Sequence, residues 1–160
     1  MTAADLLIGE YVRTLDERYR VTLPQELVDP LLAGGARLVL AKERFGCLSL
    51  WSAAIWKPRI DAAVAVVQSK MQAGLLAQRV GDVQELGRLL STRHEMVSLA
   101  ARGRLVVPEG FREFLAVEPS ADLVVVGAAV CVEIWQPAAW AAFVTGEMPG
   151  FRRRMDELTA

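Results

Sequence analysis

The side chains best suited to chemistry in this 160-residue chain are the arginines of two short turns, Asp16-Glu17-Arg18-Tyr19-Arg20 and Ala100-Ala101-Arg102-Gly103-Arg104. An arginine presents a rigid fork of N–H donors that fits phosphate oxygens or the O6/N7 edge of guanine. Two arginines separated by one residue, at the start of a hairpin's second strand, project from one face beside a turn that can approach a polyanion. Asp16, Arg18 and Arg20, with Arg102, Gly103 and Arg104, are therefore the candidate binding residues. A plainer account makes the arginines surface groups paired with Glu10, Asp16 or Glu95, and such pairs contribute little. Their recurrence in two places favours the binding account.

Catalytic chemistry finds little to use. The single histidine, His94, has no cysteine, aspartate or second histidine at metal-ligand spacing, and no Gly-rich phosphate loop is present. Asp16 and Glu17 are adjacent and point apart, so they do not flank one substrate bond. No enzyme, catalytic residue, metal site or cofactor is expected. Cys47 and Cys131 each lie in an apolar strand pattern and read as small buried residues rather than as a disulfide or a metal site.

The elements that position the two turns are themselves repeated. Sliding residues 15–56 onto 99–140, an offset of 84, pairs Leu15 with Leu99, Arg18 with Arg102, Arg20 with Arg104, Pro24 with Pro108 and Leu31 with Leu115. It also pairs Cys47 with Cys131, Trp51 with Trp135, Ala54 with Ala138 and Trp56 with Trp140, without a gap. Each copy reads ββαββ. Strands are expected at Ile8 to Leu15 and Met96 to Leu99, then the charged turn, then a short strand ended by Pro24 or Pro108, which suits a helix start. Leu27 with Leu31, and Phe111 with Leu115, supply the helix's apolar face. Two strands close each copy, Arg37 to Ala41 with Cys47 to Trp51, and Asp122 to Val126 with Cys131 to Trp135. Units of about fifty residues rarely bury enough apolar surface alone, so a shared core or association of chains is the physical expectation.

Between the copies the apolar period lengthens to that of a helix. Trp56, Ile60, Val64, Val67, Met71 and Leu75 form one stripe, and Val80, Val83, Leu86 and Leu90 a second, and such stripes are usually core. Pro58 places the start of the long helix near itself, after a single turn at Ala53 to Lys57. Beyond Trp140 a short helix and a tail are expected, with Phe151 to Arg154 a solvated basic end. The divisions are thus 6–57, a helical connector at 58–92, 93–145 and a tail at 146–160.

Composition is that of a globular protein, 53% apolar and 23% charged with a net charge of −1. No uncharged run is long enough to cross a bilayer and the opening lacks a signal-peptide pattern, which suggests a cytoplasmic protein without membrane association. Residues 1–80 carry 10 basic and 8 acidic groups and residues 81–160 carry 8 and 11, so any anion-binding surface must be local.

The segments LIGEYVRTLDERYRVTLPQEL, CLSLWSAAIW, GRLVVPEGFREFLAVEP and CVEIWQPAAW resemble the MraZ family of bacterial transcriptional regulators, which carry two tandem AbrB-like (SpoVT-AbrB) domains. The family pattern is an Asp-x-x-x-Arg turn, usually with Gly before the Arg, followed by a short apolar strand and a Pro-led helix. Asp16 and Arg20 match it in the first copy, and Gly103, Arg104 and Pro108 in the second. The resemblance implies an α+β fold in which two tandem AbrB-like ββαββ repeats intertwine their strands, with two connecting helices and a C-terminal helix. It also implies a ring-like homo-oligomer, associated with the nucleoid, that binds double-stranded DNA through these turns at direct repeats in the promoter of the division and cell-wall gene cluster.

Two departures bear on the site. Tyr19 stands where the family commonly has Gly, so the first turn is expected to change geometry or to use Tyr19 as a contact. Ala100 replaces the Asp, which leaves the second turn less braced but with a net charge of +2 over Ala100 to Arg104. The alternatives are an assembly or protein-interaction module that has lost DNA binding, and an antitoxin-like regulator. An antitoxin would need a toxin-binding tail, and about ten residues are too few to wrap a toxin.

Overall fold

In the computed structural model, which describes residues 6–160, the first half of the chain forms β1 (Leu7–Thr14), β2 (Arg20–Thr22), α1 (Gln25–Leu31), β3 (Leu38–Arg44) and β4 (Cys47–Ser52). Helices α2 (Ala53–Gln72) and α3 (Val80–Arg93) follow. The same order then recurs as β5 (His94–Val97), β6 (Arg104–Val106), α4 (Glu109–Leu115), β7 (Asp122–Ala129) and β8 (Val132–Trp135), before α5 (Pro137–Glu147) and α6 (Phe151–Thr159). The fold class is α+β, as expected.

The halves exchange their first strands. One antiparallel sheet has the order β1-β7-β8-β4-β3-β5, so β1 pairs with β7 of the other half and β5 pairs with β3. The 84-residue offset exchanges β1 with β5, β3 with β7 and β4 with β8, and turns this order into its own reverse. A bulge between Lys42 and Arg44 breaks the equivalence locally: Thr14 faces Asp122, but Leu38 faces Val97 where the offset would place Ser98. Glycine at 127 lets β1 approach β7, since a Cβ there would stand 2.5 Å from the Leu7 carbonyl carbon.

One core serves both halves. Leu15, Leu27, Leu38, Leu40, Leu48 and Leu50 of the first pack with Leu105, Phe111, Leu115, Leu123, Val125 and Ile134 of the second. On the other side of the sheet Cys47, Val124, Val126 and Trp135 form a second cluster, covered by Trp140 and Phe143 of α5. Trp135 and Trp56 are buried, whereas Trp51 and Trp140 are half-buried, and both thiols are free and buried.

Three expectations are corrected. First, α2 is continuous from Ala53, with Pro58 inside it; at the sixth position the ring forfeits one hydrogen bond near the helix start, and the helix runs on. Second, the connector stripes are not core. Of the first only Trp56 is buried, Met71 and Leu75 are exposed, and α3 buries no residue, because neither helix lies against the sheet beyond its sheet-proximal end. Third, the expected tail folds into α6, fully exposed and helical through the basic run Arg152 to Arg154.

Candidate nucleic-acid interface

The arginine-bearing strands do not form the expected hairpins with β1 and β5: β2 and β6, 84 residues apart in sequence, pair with each other as a separate two-stranded ribbon. Its register sets Arg20 opposite Val106 and Arg104 opposite Thr22. Val21 and Leu105 point into the core, so Arg20, Thr22, Arg104 and Val106 share the outer face. Arg20 and Arg104 are diagonal neighbours, with Cα atoms roughly 7–8 Å apart by ladder geometry. Each turn leads into one strand, so the turns occupy opposite ends of the ribbon. They are also tied crosswise: Val107 N–H donates to the Tyr19 carbonyl at 2.8 Å, and Leu23 N–H to the Gly103 carbonyl at 3.0 Å.

The first turn is braced by a carboxylate. Asp16 Oδ1 accepts from the backbone N–H groups of Arg18 (2.8 Å) and Arg20 (2.9 Å), and Oδ2 accepts from Arg20 Nε at 2.7 Å. Desolvation alone would raise the Asp16 pKa, but the Arg20 backbone and side-chain donors, with the Arg18 N–H, outweigh it and hold the pKa below its ordinary value. Arg20 makes the ion pair with Asp16 that the plainer account expects, while Glu10 bonds the Trp140 indole instead. The second turn closes through backbone alone, Ala100 N–H to the Arg104 carbonyl at 2.8 Å and the reverse at 3.3 Å. Arg18 and Arg102 are exposed; Arg20 and Arg104 are half-buried, so the arginines of each turn are not equally presented. Arg104 Nε is buried and has no hydrogen-bond partner among the described residues.

The family model described as "MraZ protein, putative antitoxin-like" matches residues 93–155, which contain the second turn and β6. A protein from Clostridium beijerinckii named "Transcriptional regulator MraZ" is 27% identical over 138 residues, covering 86% of this chain and 87% of its own. Proteins of the same name from Thermoanaerobacter pseudethanolicus (26% over 156 residues; 96% and 99%) and Heliobacterium modesticaldum (26% over 153 residues; 96% and 96%) are matched almost end to end. The chain is MraZ-like. These relatives are named as regulators and not as enzymes.

Of the two outcomes expected for Tyr19 in this MraZ-like chain, an altered geometry or a contact by its side chain, the first is not seen at this residue. Tyr19 has φ 59° and Gly103, at the equivalent position, has φ 71°, so both are left-handed. What differs is the neighbour above each. The side chain over Gly103 is Val28, whose Cγ2 would lie 2.9 Å from a Cβ, and only glycine fits. The same offset carries Val28 to Arg112, whose guanidinium lies 4.0 Å from the centre of the Tyr19 ring. There a long, flat side chain lies over the ring. Sequence reasoning passed over Arg112 and Val28, although the offset that matched the turns also pairs them. Arg102 adds a second left-handed residue to the second turn (φ 66°), which the first turn lacks at Arg18.

Gly103→Ala should therefore cost about 1–3 kcal/mol, from the positive φ and the Val28 contact together. Chemical denaturation would measure it, and Val28→Ala in the same chain should recover the steric part. A Gly103→Ala variant as stable as the parent would contradict this crowding.

His94 lies tilted against Trp56 with ring centres 4.5 Å apart, and burial, then the neighbouring Arg93 charge, lowers its pKa. Burial also raises both thiols. Among the described residues no group of three or more His, Cys, Asp and Glu side chains could hold a metal ion, and no helix is long and apolar enough to cross a membrane.

Proposed function

We propose that this chain is an MraZ-type transcriptional regulator that binds double-stranded DNA through Asp16, Arg18, Arg20, Arg102, Gly103 and Arg104. The observation that carries the reading is the convergence of both arginine-bearing turns on one two-stranded ribbon. A ribbon of that width enters the major groove of B-DNA, where its outward side chains meet base edges and its ends meet the phosphate backbone. Arg20 and Arg104 stand on the ribbon's outer face and suit base readout. Arg18 and Arg102, more exposed at the two ends, suit phosphate. Asp16 and Gly103 set the turns that present them. The names of the relatives support regulation as the role.

The finer reading is that the target is a set of promoter direct repeats upstream of the division and cell-wall cluster, bound by a ring-like homo-oligomer in the cytoplasm at the nucleoid. The divisions 6–57, 58–92, 93–145 and 146–160 serve it as two interface-bearing units, a connector and a C-terminal segment. Self-association is supported by apolar side chains left in solvent, Val66, Met71, Leu75, Val80 and Leu89 on α2, α3 and the bend between them, and Ile8 and Val12 on the edge strand β1. A net charge of −1 leaves each subunit a weak DNA ligand, and several turns engaged on spaced boxes multiply affinity through effective concentration.

Salt-dependent binding to DNA upstream of the protein's own gene, against an unrelated fragment, tests the assignment. Light scattering should find an assembly larger than a dimer, with tighter binding to several correctly spaced boxes than to one. A monomer at micromolar concentration, or equal affinity for one box and several, would remove the avidity mechanism. The interaction-module reading is favoured by one feature, the exposed stripe Phe151, Met155 and Leu158 of α6. It predicts no preference for promoter DNA.

A further inference from the structure

We propose that Arg112 is a positioning residue for the first turn: it holds Tyr19 in the left-handed conformation from which Arg18 and Arg20 are presented. A tyrosine at φ 59° is disfavoured by contact between its Cβ and the backbone, and such a residue persists only where its surroundings over-determine it. Within the turn, Asp16 binds the N–H groups on both sides of Tyr19 and the Tyr19 N–H itself; from the other half the surroundings are Arg112 and one strand end. The guanidinium lies 4.0 Å from the Tyr19 ring centre, close for a cation–π stack. Its Nε donates to the Val107 carbonyl at 3.0 Å, and the N–H of Val107 donates to the Tyr19 carbonyl at 2.8 Å. Arg112 thus grips Tyr19 twice, through the ring and through residue 107. The groups form a closed loop that joins α4 of the second half to the turn of the first.

The equivalent place in the other half supplies the comparison. Gly103 takes its left-handed φ without steric cost, and the residue above it, Val28, offers no stack and no hydrogen bond. At this left-handed position one turn thus has a glycine that needs no partner, and the other a tyrosine with an arginine against its ring. Arg112 accordingly commits its Nε donor and one face of its guanidinium to contacts inside the protein. It acts on DNA through Tyr19, not as a phosphate contact. That consequence rests on the DNA-binding reading; the positioning itself does not.

The test uses the full-length protein with two readouts, hydrogen exchange of the amides from Asp16 to Leu23 and the salt dependence of binding to promoter DNA. Arg112→Ala should speed exchange in that segment and weaken binding about threefold to tenfold, with the salt slope unchanged. Arg112→Lys keeps the charge but loses the flat stack and should behave the same way. Adding Tyr19→Gly to Arg112→Ala should restore both readouts, because glycine needs no partner at that φ. Unaltered exchange in Arg112→Ala, or a double variant no better than the single, would overturn the proposal. So would a salt slope lowered by about one unit without rescue, which marks a phosphate contact. If the parent shows no preference for promoter DNA, the functional reading falls, while the exchange data still decide whether Arg112 positions the turn.

Discussion

Trp135→Ala should destabilise the protein by about 3–5 kcal/mol, the range for removing a large buried aromatic side chain. Trp135 is 2% exposed and lies 5.2 Å, ring centre to ring centre, from both Trp140 and Phe143, with the Arg44 guanidinium 5.6 Å over its face. Its indole N–H donates to Glu133 Oε1 at 3.0 Å. Burial raises the Glu133 pKa, and the indole bond opposes that rise, so the alanine variant loses packing and leaves a half-buried carboxylate without its donor. Trp51, the equivalent residue, is more exposed and donates only to Ser49 Oγ, so Trp51→Ala should cost less. Denaturant midpoints at constant slope would rank the two. A Trp135→Ala protein that melts like the parent but no longer binds DNA would make the indole a binding surface and refute its packing role.

Arg20→Ala and Arg104→Ala should each weaken binding to the promoter by about 1–3 kcal/mol and relax sequence preference, if each reads a base edge. The contacts around them separate the two. Arg20 is tethered to Asp16, so its removal also loosens the first turn, and Asp16→Asn should reproduce part of the loss. Arg104 has no acidic partner among the described ion pairs, and its loss should fall on binding alone. Arg18→Ala and Arg102→Ala at the exposed ends should weaken binding to all sequences alike and flatten the salt slope by about one unit each. Anisotropy titrations over a range of salt, with promoter and unrelated DNA, separate these outcomes. Unchanged binding in the Arg20→Ala/Arg104→Ala variant would remove these turns from the interface.

Much of the local structure was legible in the residues. The period-2 runs marked the strands to within a few residues, and Pro24 and Pro108 marked the residues immediately before α1 and α4. Both cysteines are buried and free, Cys47 as the first residue of β4 and Cys131 in the bend just before β8, one residue outside the strand expected to begin with it. The 84-residue offset identified equivalent positions, including the two turns. These signals are short-range, because propensity, capping and alternation act over a few residues and survive in one dimension. The continuity of α2 through Pro58 was misread because a proline's penalty depends on how many helical bonds precede it.

Residue types and their spacing thus specify the kind and order of the elements, the side chains able to bind an anion and the equivalence of the two halves. Strand pairing is a matter of long-range packing, and it is this pairing that brings Arg20 and Arg104 onto one ribbon. Packing also leaves the apolar stripes of α2 and α3 facing solvent, since periodicity identifies an apolar face but not what covers it. The conformation of Tyr19 belongs here too. A backbone preference of about 1–2 kcal/mol against left-handed tyrosine is opposed by the Asp16 bonds within the turn and by a guanidinium 93 positions away, and that second contact exists only once α4 has docked against the first turn.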